Sequence, residues 1–529
     1  MVLNVAALIS CYLTSSWGIG VPNSCIGFIV EAFPEGAGKA IWIAGSITIS
    51  NCVLQSFIGD MSDILGRRGF LLVGQLLAIV GMIISGRANS MNMVIGGQVL
   101  NGIGLTLGYL AIPFLTELVP KNARAGINSV ASVATIFPLA FGPIIQGAFI
   151  NNHLGGEGQG WRAGFYMGAC LYAISFVLIL AFYHPLPRPN PEGLSTTQRL
   201  LRIDWVGIFL AGAALTIFLV GLHFGDNPYR WSSAMVVASL VVGIVCGLVF
   251  GLWEWKGVKH GILDHGLFSD PNFAWCLILS AIGGINLYSG LAYLPQEILS
   301  LFAPGPVLTG VYNLPFNLIT PGGAILAAVI IRLTGEAKWV IVGSYFVLLV
   351  SSGLMAVMQP HINFAAWFFP TALLGIASGV QTSILVVIAS VCTPNHLIAA
   401  AISLVSSLRA LGGSVGIVIF GQIFQSKLPG KLIAGVSNAV VEAGLSPSQV
   451  PSFLHAFESQ NPTLIMGVQG VNPAILEAAQ TASSQAHADS YRFIWYSLIP
   501  FAALALMISL LLRPVRDQLT RQVVAGVRD

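Results

Sequence analysis

Charge is what this chain has least of. Only 8% of its 529 residues are Asp, Glu, Lys or Arg, against about a quarter in ordinary soluble domains, so a water-facing globule of this length is excluded. The formal net charge of +3 is too small to mark a nucleic-acid surface. No Asn-x-Ser/Thr acceptor (x not Pro) occurs, and N-glycans are not expected. The seven cysteines, Cys11, Cys25, Cys52, Cys170, Cys246, Cys276 and Cys392, fall in or beside apolar runs without metal-ligand spacing. They read as small buried hydrophobes, with no disulfide framework. The sequence offers no nucleophile–base pair, metal cluster or phosphate-cradling glycine loop. Catalysis is therefore disfavoured, and neither a cofactor nor a metal is expected.

What the chain has in quantity is apolar length. Hydrophobic residues make up 55% and mean hydropathy is +0.83. A helix crossing a bilayer takes about 20 apolar residues. Fourteen runs qualify, at 2–21, 39–58, 69–86, 92–114, 126–149, 163–183, 204–224, 232–253, 273–296, 306–331, 339–358, 363–391, 397–424 and 492–512. The first starts directly after Met1 without a basic leader or cleavage site, and reads as a retained span. The expected fold is an all-α polytopic membrane protein with fourteen transmembrane helices in a lipid bilayer. The even count places both termini on one side.

The most informative loop lies between the second and third runs. Gly59-Asp60-Met61-Ser62-Asp63-Ile64-Leu65-Gly66-Arg67-Arg68 packs four charges into ten residues. Asp63 and Arg67 stand four apart, so on one helical turn they face each other and pair, with the carboxylate favoured near a helix N-terminus. With this loop inside, fifteen of the 23 lysines and arginines lie on the inner side and seven outside, while Arg409 falls within a span. That bias predicts cytoplasmic termini. Residues 184–203 form a Pro-rich, basic linker, 254–272 a second inner loop, and 425–491 a long solvated outer segment whose Ala-rich stretches around Val436–Gly444 and Ala474–Ala488 are candidates for short surface helices. A faded echo of Gly66–Gly74 at Gly335–Gly343 points to two related bundles, a plan common among secondary transporters.

Several motifs share one likeness. The G-x-x-x-D-x-x-G-R-R loop resembles the signature loop of the major facilitator superfamily. Gly142-Pro143-Ile144-Ile145-Gln146-Gly147 resembles the antiporter motif of its drug-exporting members. Glu117–Arg124, Trp161–Phe165, Asp204–Gly207 and Arg409–Gly416 match further positions, and together with fourteen spans the chain is most similar to the trichothecene efflux pump group of fungal drug:proton antiporters. That resemblance implies two six-helix bundles, 1–183 and 273–512, with a linker and two extra spans at 184–272 between them and a tail at 513–529. It implies a monomeric exporter of a secondary metabolite, mycotoxin or drug, in the plasma membrane or a vacuolar or vesicle membrane, exchanging its substrate for protons. A siderophore-iron transporter of the same fold, or a non-transporting receptor, remains an alternative. The chain departs from the drug antiporters in one respect, because Gln98 stands where they usually carry an arginine.

By these span boundaries all twenty Asp and Glu residues lie in loops or at span edges, leaving no obvious mid-membrane proton carrier. Candidates for coupling are Arg409, His223, Asp204 and Glu297. Candidates for the conformational switch are Gly59, Asp63, Gly66, Arg67 and Arg68, and for the antiporter-like kink Gly142, Pro143 and Gly147. A substrate cavity is expected among the neutral polar and aromatic residues near mid-span: Trp17, Asn51, Gln55, Asn101, Tyr109, Asn286, Tyr288, Asn313, Asn317 and Gln381. Amides and rings without formal charge suit a small-molecule substrate that is bulky and mostly apolar, with a few hydroxyls or carbonyls.

Overall fold

The computed structural model describes residues 2–119, 123–185, 198, 203–225, 229–257, 265–302, 305–360, 362–394, 397–458, 464–465 and 467–516; the side chains of Val2, Ala37, Asp60, Asp63, Ile64, Leu65 and Ala125 are outside that description. Among the described residues the chain is built from helices. The first bundle comprises α1 (Val2–Ser24), α2 (Ile26–Ala32), α3 (Ile41–Gln55), α4 (Ile58–Leu65), α5 (Arg67–Gly86), α6 (Met91–Tyr109), α7 (Ala111–Glu117), α8 (Arg124–Ala134), α9 (Gly142–Asn151) and α10 (Trp161–Phe182). Two further helices follow, α11 (Trp205–Phe224) and α12 (Ala234–Leu252). The second bundle comprises α13 (Pro271–Phe302), α14 (Pro306–Tyr312), α15 (Leu314–Thr334), α16 (Ala337–Met355), α17 (Phe364–Cys392), α18 (Ile398–Glu442), α19 (Val450–Glu458) and α20 (Pro473–Leu510).

Among the described residues, thirteen helical stretches are long and apolar enough to cross a membrane. The fourteenth run is present as α3, which at 15 residues is about 22 Å long, short of a roughly 30 Å hydrocarbon core. The helix breaks at Ser56 and Phe57 and resumes as α4. Caps are supplied locally, since Ser90, Ser233, Asn363 and Asn472 each accept a backbone N–H from the first turn of their helices. The repeat seen in the sequence has a conformational counterpart. Gly66 and Gly335 precede α5 and α16 with φ of 102° and 74°, a region that L side chains avoid and glycine enters freely.

The helices expected within the solvated segment 425–491 are present, but as continuations of the spans and not as separate surface pieces. Residues 425–442 continue α18, and α20 begins at Pro473. These extensions and α19 close over a small apolar core of their own that includes Val436, Val440, Phe453, Ile475 and Ala479. The linker expected at 184–203 falls mostly outside the described residues. Of the extra pair, α12 packs chiefly on α11, while α11 touches α3 of the first bundle and α18 of the second. Leu219 of α11 is buried there with Ile49, Cys52 and Ala410.

Candidate functional site

A cavity of about 110 Å3 lies between the bundles. The first bundle contributes Tyr12 from α1, Asn51 and Gln55 from α3, Tyr109 from α6, and Asn128 and Ser132 from α8. The second contributes Tyr288 from α13, Thr382 and Ser383 from α17, and Ser406 and Arg409 from α18. A smaller chamber of about 80 Å3 shares Tyr12, Tyr109, Ser132, Tyr288 and Thr382 and adds the apolar walls Ile19, Leu139, Leu291 and Pro321. The site thus has a polar end and an apolar end. Asn51 Nδ2 donates to the Tyr288 hydroxyl at 3.1 Å, tying the bundles together inside it. Among the described residues, Asn51 Oδ1, Gln55 Oε1, Ser383 Oγ and both polar atoms of the Asn128 amide are buried without a hydrogen-bond partner. Such groups are costly unless a water or a ligand meets them.

Contacts between the bundles bound this cavity at both ends. Towards the signature loop, a Cβ on Gly59 would fall 2.9 Å from the carbonyl oxygen of Ala399 at the start of α18. Arg124 Nη1 donates to the Ser390 carbonyl at 2.7 Å, and Ser129 Oγ to the Ala324 carbonyl at 3.0 Å. Arg67 forms an ion pair with the buried Glu117 and lies 4.6 Å over the Phe114 ring. The expected Asp63–Arg67 pair involves a side chain outside the described residues; among the described ones, Glu117 places a carboxylate on Arg67. Arg68 donates to the Leu180 carbonyl. At the opposite end a π-helical turn, Phe137–Phe141, leads into α9. Gly142 and Pro143 start α9, and a Cβ on Gly147 would lie 2.5 Å from the backbone oxygen of Pro306 in α14. Gly310 returns the contact, its Cβ position 2.8 Å from Ile144 N.

A family model described as fungal trichothecene efflux pump (TRI12) matches residues 23–529. The chain belongs to this family. It is 25% identical over 512 residues to MFS transporter L2 of a Phoma species, covering 96% of this chain and 80% of that one. It is equally 25% identical over 531 residues to the trichothecene efflux pump TRI12 of Trichoderma arundinaceum, covering 97% and 86%. Solved structures agree on the fold. A POT family transporter superimposes with a TM-score of 0.61 at 14% identity, over 96% of each chain. The proton:xylose symporter XylE does so at 0.57 and 12% identity, over 80% of this chain and 89% of that one. The chain is therefore a multi-pass membrane transporter with the major facilitator fold.

Within this efflux-pump fold the sequence-derived candidates separate. Asn51, Gln55, Tyr109, Tyr288 and Arg409 meet at the central cavity. Trp17 and Asn101 do not line it, because they are held inside the first bundle. Trp17 Nε1 donates to the Gly164 carbonyl at 3.2 Å, while Asn101 donates to the Gly18 carbonyl and to Gln98 and accepts from Tyr172. Asn286 donates to Ser378 within the second bundle. Asn317 and Gln381 are buried away from the cavity walls, and Asn313 lines a minor cleft beside Gly147 and Gly310. Tyr12, Asn128, Ser132, Thr382 and Ser383 were not singled out as cavity candidates. Asn128 and Ser132, one helical turn apart on α8, were the readable signal.

The coupling candidates separate as well. His223 is buried with Nδ1 2.9 Å from the Leu219 carbonyl of its own helix, outside the cavity. Asp204 caps α11, accepting from Gly207 N at 2.8 Å and from Trp253 Nε1 at 2.9 Å. Removing it with Asp204→Ala is expected to lower stability by about 1 kcal/mol, read as a lower melting temperature of the solubilised protein, with substrate accumulation intact. Glu297 corrects the expectation that no carboxylate sits within a span. The 32-residue α13 carries it past Pro295, and both its oxygens accept from Trp495 Nε1, at 3.2 and 3.1 Å, in a fully packed setting.

Proposed function

We propose that this chain is a secondary active transporter that exports a small, mostly apolar organic compound bearing hydroxyl or carbonyl groups, in exchange for protons. The observation that carries the reading is the central cavity, built by both bundles and bounded at each end by contacts between them. A site so placed reaches one side or the other when one set of contacts opens, which is alternating access. A groove of about 850 Å3 between α8 and α15, walled by Ile127, Val130, Ile325 and Val329, supplies an apolar approach at the signature-loop end. With that end in the cytoplasm, it would admit substrate from inside. The protein acts as a monomer in the plasma membrane with both termini cytoplasmic, and Glu297 is the proton-carrying group.

Deleting the protein from its native cells should lower secretion of one apolar metabolite at least about tenfold, or raise sensitivity to a hydrophobic toxin. A tenfold flux change corresponds to about 1.4 kcal/mol in the barrier, well beyond assay scatter. Normal secretion and sensitivity across a broad metabolite panel, with ferric-siderophore uptake lost instead, would reverse the direction and identify the importer.

A further inference from the structure

Among the described residues, the central cavity contains one formal charge and nothing to balance it. Arg409 lines it from α18, and among the described residues no Asp, Glu, Lys or His stands in the walls of the cavity or of the adjoining chamber. The ionisable side chains around the guanidinium are Tyr288, Tyr12, Tyr345 and Tyr109, which offer hydroxyl oxygens but no counter-charge. Of its five N–H donors, one is engaged in the structure, Nη2 to the Thr382 carbonyl at 3.2 Å. The backbone at Arg409 is fixed, since α13 approaches so closely that a Cβ on Gly284 would collide with the Arg409 carbonyl. The side chain is half-buried and borders the cavity.

A cation kept at membrane depth without a counter-charge is expensive and persists where function needs it. We infer that the transported compound is an acid, whose carboxylate or ionised enol docks on Arg409. Guanidinium and carboxylate match as planar forks, two N–H donors to two oxygens. Beside that contact, the unpartnered Asn51 Oδ1, Gln55 Oε1 and Ser383 Oγ accept from hydroxyls on the same molecule. The apolar body extends into the chamber walled by Ile19, Leu139 and Leu291. The substrate class is therefore a hydroxylated, otherwise apolar organic acid. This deepens the transport reading above and rests on it.

The test uses the full chain in lipid nanodiscs and in inside-out vesicles, with gibberellic, mycophenolic and fusidic acids, each beside its methyl ester. The ester keeps the shape and removes the charge. At least one acid should bind wild-type protein about tenfold more tightly than its ester, the size expected of a charge-assisted hydrogen-bonded pair. Arg409→Gln should erase that preference, and Arg409→Lys should keep part of it. No preference for any acid in the wild type, or a preference that survives Arg409→Gln, overturns the assignment. Vesicle uptake separates this from the broader reading. Equal uptake of acid and ester removes the role of Arg409 and leaves transport standing, whereas vesicles that take up none of the six compounds speak against both.

Discussion

Gly147→Leu should reduce transport at least about 100-fold while the protein still reaches the membrane at near-normal level. The glycine's Cβ position lies 2.5 and 2.7 Å from the Pro306 carbonyl oxygen and carbon and 2.9 Å from Val307 Cα. All three are backbone atoms and cannot swing aside. A leucine must therefore push α9 and α14 apart, opening the seal between the bundles at that end. Overpacking costs about 1–3 kcal/mol, and about 2.7 kcal/mol is 100-fold in rate. The strain falls between the bundles and not inside either, so folding should survive. Turnover in vesicles, normalised to membrane level, is the measurement. A wild-type rate would show that this contact does not need to close.

The second large effect is expected at Glu297. Glu297→Gln should abolish accumulation driven by a pH gradient while flux down a substrate gradient stays within about twofold. The amide oxygen still accepts from Trp495, at present 3.2 and 3.1 Å from the carboxylate oxygens, so packing between α13 and α20 is preserved and only the ionisable proton is lost. One proton exchanged per substrate against one pH unit is worth about 1.4 kcal/mol, or tenfold accumulation. The variant should hold the ratio at one in proteoliposomes. Asp204→Asn and His223→Gln should retain the wild-type ratio, because one residue caps a helix and the other packs beside α3 outside the cavity. Undiminished accumulation by Glu297→Gln would place proton coupling elsewhere.

Thirteen of the fourteen spans were legible because they rest on apolar length, and the shared turn before α5 and α16 because it rests on local glycine chemistry at Gly66 and Gly335. The helix break after Gln55 was not, since hydropathy averaged over a span does not register where backbone hydrogen bonding stops. Glu297 was hidden for a related reason. Pro295-Gln296-Glu297 looks like the edge of an apolar run, yet α13 continues through it to Phe302. The extensions of α18 and α20 carry apolar residues one turn apart, Val436 with Val440 and Ile475 with Ala479, diluted by enough polar residues to read as short surface helices and not as continuations of the spans. The cavity was legible in kind and not in membership. Asn51 and Asn101 are the same residue type at comparable depth, and what separates them is the rotation of α3 and α6 relative to the opposite bundle. Long-range packing sets that rotation, and no single span encodes it.

The most direct test of alternating access is a cysteine at Ser132, which lines both the polar cavity and the apolar chamber. Among the described residues its hydroxyl bonds only back to the Asn128 carbonyl of the preceding turn, so Ser132→Cys should be tolerated. In a background with the seven native cysteines replaced by serine or alanine, the thiol should react with a membrane-impermeant maleimide applied from either face of the membrane. Labelling from both faces is the predicted result; labelling from one face alone, in a protein that still transports, would contradict the account.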